Sequence, residues 1–293
     1  MSEHGLIVVD KPAGMTSHDV VARIRRLAGT RRVGHGGTLD PAATGVLVVA
    51  VNRATRLLTY VIGAGKRYTA TIRLGVSTVT DDAEGEVTAR TPATGTTQEQ
   101  IRAGLAALTG EIDQVPSAVS AIKIDGQRAY RRVRAGEQVA MTARRVTISR
   151  LEAHAVRPAG AAVDVDVEVA CSSGTYVRAI ARDLGTALGV GGHLTALRRS
   201  AVGGFDLAEA LTLAELADRA PDVVQLPMAE AASRFLPRRD VDAAEARVLG
   251  HGGPIAPAGQ PGPYAVFAPD GELLAVVCER DGRARAEIVL APA

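Results

Sequence analysis

Residues 34 to 49 read GHGGTLDPAATGVLVV, which sets four glycines, His35 and a single carboxylate, Asp40, in front of an apolar run. Pro41 biases Asp40 toward extended backbone angles and brings no amide proton of its own, so the carboxylate is held in a stiff frame. Gly34, Gly36, Gly37 and Gly45 permit positive φ angles and remove side chains, which would let a bulky ligand approach the main chain. Taken alone, the stretch reads equally well as an Asx turn leading into a strand. No lysine follows the glycines in a GK[ST] pattern, which disfavours a nucleotide-binding P-loop. His35 and Asp40 have no third ligand at helical or hairpin spacing, so no metal is implied. Asp81, Asp82 and Glu84, followed by Gly85, read as a solvated turn.

Arg178 is the second candidate. It falls in the first turn of an expected helix, where the positive end of the helix dipole disfavours a cation. An exposed arginine would reach for solvent, whereas a partner carboxylate would reverse the balance. If the strand ending at Cys171 lies beside the strand after Asp40, Arg178 can pair with Asp40 and keep it ionised, since a nearby cation lowers an acid's pKa. Charge supplies the third candidate. From Ser117 to Ile148, Lys123, Arg128, Arg131, Arg132, Arg134, Arg144 and Arg145 stand against Asp125 and Glu137, a net of five positive charges in a chain whose total is +2. Tyr130 sits among these arginines. A basic segment of this kind can track a phosphate backbone, and its one-sided sign favours RNA over a solvated helical face.

These groups must be positioned by the surrounding elements. LIVVD begins a short strand that stops at Lys11-Pro12. Ser17 is expected to cap a helix whose apolar Val20, Val21, Ile24, Leu27 and Ala28 share one face, ending at Gly29. The VLVVAV run after Asp40 reads as a strand buried on both sides. RYTATIRLG alternates, which puts Tyr68, Ala70, Ile72 and Leu74 on an inward face. Thr97 and Gln100 form a capping box. Val163 to Cys171 alternates again and turns through SSG into a helix carrying Val177, Ile180, Ala181, Leu184 and Leu188. Strands mixed with helices without regular alternation point to an α+β fold, a mixed and largely antiparallel sheet flanked by helices, ahead of a doubly wound α/β fold. Beyond residue 230, Asp242 and Glu245 cap a short helix and Asp-Gly turns at 270 and 281 separate β-like runs, the texture of a small β-rich domain.

With 293 residues, 46% of them hydrophobic, the chain can bury one large core with a small companion. Cys171 and Cys278 are too few for a disulfide framework and are not spaced as a zinc knuckle, which points to a reducing compartment. MSEHGLIVVDKPAG lacks the basic start and long apolar centre of a signal peptide, and no apolar run is long enough to span a bilayer. A cytoplasmic protein without membrane contact is expected.

Five stretches, KPAGMTSHDVV at 11–21, GHGGTLDPAATGVLVV at 34–49, KRYTA at 66–70, CSSGTYVRAIARDLG at 171–185 and HLTALRRSAVGGF at 193–205, resemble in order the motifs of TruB-type tRNA pseudouridine-55 synthases of the stand-alone bacterial kind. The resemblance implies a catalytic domain over 1–230, with a basic insertion at about 117–148 that closes over the T-arm of tRNA. A PUA-like domain is implied over 231–293. It implies no cofactor, no metal and no obligatory protein partner, with the enzyme acting as a monomer. The family's catalytic aspartate falls on Asp40. Such an enzyme flips a uridine out of the T-loop, breaks its N1–C1′ bond, turns the uracil and joins C5 to C1′, with Asp40 attacking C1′ or abstracting the ribose 2′ proton.

By the same resemblance, Tyr68 stacks on the target base and helps remove the C5 proton, and the need for an ionised Asp40 is consistent with Arg178, placed by its helix position, as its partner. His35 occupies the space near the everted base, and Tyr176 and Leu197 line the pocket. Arg128, Arg131, Arg132, Arg134, Arg144 and Arg145 contact the RNA backbone, while Lys11 and Pro12 support the architecture. Where the family reads T-D-T-x-D-x-x-G, Val79 stands at the first acid, and Val115-Pro116 replaces a paired proline. The competing functional readings are a catalytically silent RNA-binding module, a synthase acting on another RNA, and a metal-dependent hydrolase using His35 and the acidic turn.

Overall fold

A computed structural model describes residues 3–117, 123–124, 127–128, 141–260 and 262–291. The chain divides into two compact units, Met1–Asp40 with Gly45–Ala64 and Val202–Ala293, and Pro41–Thr44 with Gly65–Ala201. The architecture is α+β, and among the described residues antiparallel strand pairs are accompanied by a parallel pair near the C-terminus.

The N-terminal segment contributes β1 (Gly5–Lys11), α1 (Ser17–Leu27), β2 (Val33–His35), β3 (Thr44–Val51) and α2 (Leu58–Gly63). β1 pairs with β3 from Gly5–Val51 to Lys11–Gly45. Leu47, Val49 and Val51 of β3 share a core with Val20, Val21 and Ile24 of α1. Val46, Val48 and Ala50 point into a second core containing Phe205 and Leu226. Both faces of β3 are therefore covered, which is why its sequence shows no polar alternation.

Helix α1 is capped by Thr16 rather than by the expected Ser17. Thr16 Oγ1 accepts from the Asp19 amide at 3.1 Å and the Asp19 carboxylate accepts from the Thr16 amide at 2.8 Å, two otherwise orphaned donors satisfied reciprocally. Ser17 already lies inside the helix, and its hydroxyl is engaged by Leu39.

The second unit holds β4 (Lys66–Leu74), β5 (Val76–Thr78), β6 (Val87–Arg90), α3 (Gln98–Ala107), β7 (Gly110–Gln114), β8 (Lys123–Ile124), β9 (Gln127–Arg128), β10 (Arg144–Ala159), β11 (Ala162–Cys171), α4 (Val177–Ala187) and β12 (Gly192–Val202). Its main sheet has the order β12-β4-β11-β10-β7. Tyr68, Ala70, Ile72 and Leu74 are buried along one face of β4, as the alternation requires. Both edges of β11 are taken, by β4 from Val163–Leu74 to Cys171–Lys66 and by its hairpin partner β10. The strand ending at Cys171 thus does not lie beside β3, contrary to the adjacency considered from sequence. Arg73 fixes the β4–β11 register through two bonds of 2.8 Å to the Asp164 carboxylate. Helix α3 begins at its Thr97–Gln100 capping box and packs on β10 and α4.

The remaining segment forms β13 (Phe205–Asp206), α5 (Leu213–Asp218), β14 (Leu226–Pro227), α6 (Met228–Ser233), β15 (Arg238–Asp240), α7 (Ala243–Gly250), β16 (Tyr264–Phe267), β17 (Leu273–Arg280) and β18 (Arg283–Val289). β14 extends the β1 edge, while β15-β16-β17-β18 make a separate four-stranded sheet with β15 and β16 parallel. Asp281 and Gly282 both take positive φ, +53° and +69°, the backbone a tight hairpin between β17 and β18 demands. Among the described residues no helix is long and apolar enough to cross a membrane.

Candidate active site

Asp40 ends the loop that leaves β2. The Gly36 amide donates to the Val48 carbonyl at 2.8 Å. Ser17, buried in the first turn of α1, accepts from the Leu39 amide at 2.9 Å and donates to the Leu39 carbonyl at 3.2 Å. The residue before Asp40 is thereby held at both backbone groups, and Pro41 restricts the residue after it. Asp40 itself is half-buried. Of the four glycines, only Gly37 and Gly45 take positive φ, at +114° and +101°. Gly34 and Gly36 are small for a different reason: a Cβ would lie 2.9 Å from Leu58 Cδ1 and 2.5 Å from Val61 Cγ1, respectively. The loop is seated against α2.

His35 is also half-buried, and its ring meets that of His18 edge to face with centroids 5.4 Å apart. Lys11 is fully buried, its Nζ donating to the carbonyls of Pro12 at 2.8 Å and Met15 at 2.7 Å. It ties down the turn that leads to the Thr16 cap, while Pro12 is exposed.

In the second unit, Tyr68 is buried on β4 and hydrogen-bonds the side chain of Arg199, a buried arginine on β12. Arg178 is buried in the first turn of α4, where Nη1 donates to the Thr80 carbonyl at 2.8 Å and stands 3.4 Å from Asp82 Oδ2. Asp82 is thus a carboxylate facing the guanidinium at this unfavourable helix position. Neighbouring Arg182 reaches Asp81 at 3.3 Å and donates to the Val115 carbonyl at 2.7 Å. Burial pushes the Asp81 carboxyl above its ordinary range despite the nearby guanidiniums of Arg182 and Arg178.

The acidic turn is therefore not a solvated one. The carboxylates of Asp82 and Asp81 face two arginines of α4 while that of Glu84 is exposed, and Leu194 N–H donates to the Asp81 carbonyl at 3.0 Å. Val79, at the position of the family's first acid, is an exposed side chain and takes no part in this arrangement.

Tyr176 precedes α4 and is half-buried. The Gln114 amide grips its backbone, accepting from Tyr176 N–H at 2.8 Å and donating to the Tyr176 carbonyl at 3.1 Å. Leu197 is half-buried on β12, and the next residue, Arg198, donates to Thr44 Oγ1 at 3.2 Å. Thr44 belongs to the short segment that follows Asp40.

Of the basic candidates, Arg131, Arg132 and Arg134 lie outside the described residues, as does the side chain of Arg128. Arg144 is exposed. Arg145 is exposed but paired with Glu111 at 3.2 Å and Asp113 at 3.3 Å on β7, so part of the local excess of positive charge is neutralised. A second basic surface went unnoticed in the sequence. Arg31, Arg32, Arg53 and Arg56 line a groove of about 830 Å³ together with Asn52 and Glu287. The Asn52 amide donates to the Arg32 carbonyl at 2.7 Å, which brings the two arginine pairs together although some twenty residues separate them along the chain.

Three family models match: TruB family pseudouridylate synthase (N terminal domain) over residues 25–177, tRNA pseudouridylate synthase B C-terminal domain over 178–226, and tRNA Pseudouridine synthase II, C terminal, over 236–291. A tRNA pseudouridine synthase B of Arthrobacter sp. (strain FB24) is 58% identical over 299 residues, covering 98% of this chain and 97% of the relative. That of Thermobifida fusca (strain YX) is 56% identical over 291 residues, covering 98% of each. A chain in the crystal structure of a Cbf5-Nop10-Gar1 complex superposes with a TM-score of 0.75 at 28% identity, over 98% of this chain and 85% of the other. A chain of an H/ACA RNP bound to a substrate RNA containing 2′-deoxyuridine gives 0.74 at 26% identity, with the same two coverages.

Proposed function

This chain belongs to the TruB family of pseudouridylate synthases and forms pseudouridine in tRNA, and on that premise we propose that its target is U55 of the T-loop, flipped out of the stack and isomerised with Asp40 as the reacting carboxylate. The N1–C1′ bond breaks, the uracil turns, and C5 joins C1′. Asp40 acts as nucleophile on C1′ or as the base that takes the ribose 2′ proton, and either role needs the ionised acid. The observation that carries this reading is the double anchoring of Leu39 by Ser17, which presents the following carboxylate on a fixed backbone at the position of the family's catalytic aspartate.

In this reading Tyr68 stacks on the base and helps take the C5 proton, and Arg178 steadies Asp40. His35, Tyr176 and Leu197 line the space for the nucleotide, and Lys11 and Pro12 support the architecture around it. The enzyme works in the cytoplasm as a monomer without cofactor or protein partner. The insertion at 117–148 covers the T-arm, and residues 231–293 form the PUA-like domain that accompanies the catalytic domain of 1–230. The arginines around Arg32 and Arg56 offer further contacts to the RNA backbone.

The test is direct. Unmodified tRNA transcript is incubated with the protein in EDTA, and pseudouridine is mapped by carbodiimide-dependent reverse-transcription stops. A stop at position 55 is expected, and it should vanish when the transcript carries cytidine there. Binding without any stop would support the silent module, a stop elsewhere would move the target, and cleaved RNA that depends on added metal would support a hydrolase.

A further inference from the structure

Arg199 is 1% exposed. A guanidinium so buried needs a reason, because removing a charge from water is unfavourable unless the site compensates it. Burial pulls this guanidinium below its ordinary range, and the Tyr68 hydroxyl, hydrogen-bonded to it, counters that effect. Lys66, two residues before Tyr68 on the same face of β4, is also buried, and its ammonium is pushed down to about 8 by burial and by repulsion from Arg199. Arg199 and Lys66 are thus two buried cations close enough to repel each other, and the Tyr68 hydroxyl is bonded to the first of them.

Arginine has five donors and no acceptor. The Tyr68 oxygen therefore accepts in this bond, and its own proton must be directed elsewhere. We propose that Arg199 is a positioning residue for the isomerisation, fixing the Tyr68 hydroxyl so that its oxygen receives the proton leaving C5 of the turned uracil.

The proposal rests on the reading of Tyr68 as the group that takes this proton. Once C5 is bonded to C1′, the C5–H bond breaks. Its electron pair becomes the C5=C6 double bond, and the C6=N1 pair returns to N1, which is protonated from water. The C5 proton passes to the Tyr68 oxygen, which gives its original proton to water, so protons balance over the cycle. The guanidinium stabilises the partial negative charge that develops on the oxygen during this exchange.

The test uses the full-length protein and tRNA transcripts carrying uridine with hydrogen or deuterium at C5, read as single-turnover rates. The variants are Arg199→Met, Arg199→Lys, Tyr68→Phe and the double variant Arg199→Met/Tyr68→Phe. Arg199→Met should slow turnover by about a hundredfold, the lower range for loss of general acid–base assistance, and should raise the C5 deuterium isotope effect at least twofold over the parent. Arg199→Lys, which restores one cationic donor, should lie between the two. The double variant should be no slower than Tyr68→Phe, since groups acting through one another do not combine multiplicatively.

A slow Arg199→Met enzyme with the parent's isotope effect, or a double variant slowed by the product of the two single effects, would overturn the proposal and leave Arg199 as packing. If Arg199→Met does not fold, the isotope effect of Arg199→Lys decides, and a value equal to the parent's overturns it. Failure of the underlying reading looks different: Tyr68→Phe would turn over at the parental rate whatever happens at Arg199.

Discussion

Arg178 and Asp82 face each other across 3.4 Å, with side chains only 7% and 14% exposed. The pair places a carboxylate at a helix start that would otherwise repel its arginine. Asp82→Ala removes this carboxylate from a buried guanidinium. Breaking a buried pair from one side typically destabilises by about 3 kcal/mol, so a clear fall in melting temperature is expected, accompanied by a loss of turnover if Arg178 steadies Asp40. Glu111→Ala, which removes a partner of the exposed Arg145, should change stability by less than about 1 kcal/mol. Thermal melts of the two variants side by side check the contrast.

Asp40→Asn keeps the shape of the loop and removes the ionisable group. Turnover should fall below detection, a loss of at least about a hundredfold, while tRNA affinity changes little. Rate and filter-binding measurements on one preparation separate the two effects, and a variant as active as the parent would reject Asp40 as the reacting carboxylate.

The groove lined by Arg31, Arg32, Arg53 and Arg56 and the segment containing Arg131, Arg132 and Arg134 make independent claims on the RNA backbone. Replacing arginines in either set by glutamine should weaken tRNA binding at all sequences and reduce the slope of log affinity against log salt by roughly one for each phosphate that is no longer neutralised. An unchanged slope would assign that set to solvent.

Lys66 supplies a pH dependence with a definite sign. Its ammonium is lowered from 10.5 to about 8 by burial, with Arg199 adding repulsion and Cys171 opposing the shift. The folded state therefore penalises the charged form. That penalty is fully present below about pH 8 and is relieved as pH rises toward the unfolded value of 10.5, because over this window the unfolded chain binds more protons. Lys66→Met lacks the penalty, so the melting temperature of the variant minus that of the parent should decrease from pH 8 to pH 10. A difference independent of pH would show that Lys66 stays solvated.

Much of the scaffold was legible because its signals are local. The unbroken apolar run of β3, the alternation of β4 and the Thr97–Gln100 capping box each need only a few consecutive residues. The Thr16 cap was missed by one position because Thr16 and Ser17 are chemically equivalent as caps, and only the bond from Ser17 to Leu39, twenty-two residues away, decides between them. The acidic turn was misread for a related reason. Asp81 and Asp82 carry every local mark of a solvated bend, and only α4, nearly a hundred residues later, turns them inward.

Arg199 had a usable signal. On β12 the period of two puts it on one face with His193, Thr195, Leu197 and Ala201, a set with no other full charge, in which an arginine stands out. In the sequence it was hidden by its neighbour Arg198, since a tandem of arginines resembles surface charge. The groove arginines had no such signal, because their convergence depends on the backbone bond between Asn52 and Arg32.

The seating of Gly34 and Gly36 against Leu58 and Val61 has a consequence for how this enzyme ages under heat. The loop ending at Asp40 is anchored to α1 at Leu39 but owes the stiffness of its glycine-rich start to α2, a six-residue helix with no side-chain cap, and helices of that length hold together only through what they pack against. Fraying of this one turn and a half would loosen the carboxylate while the sheets stay intact, so inactivation on warming should run ahead of global melting.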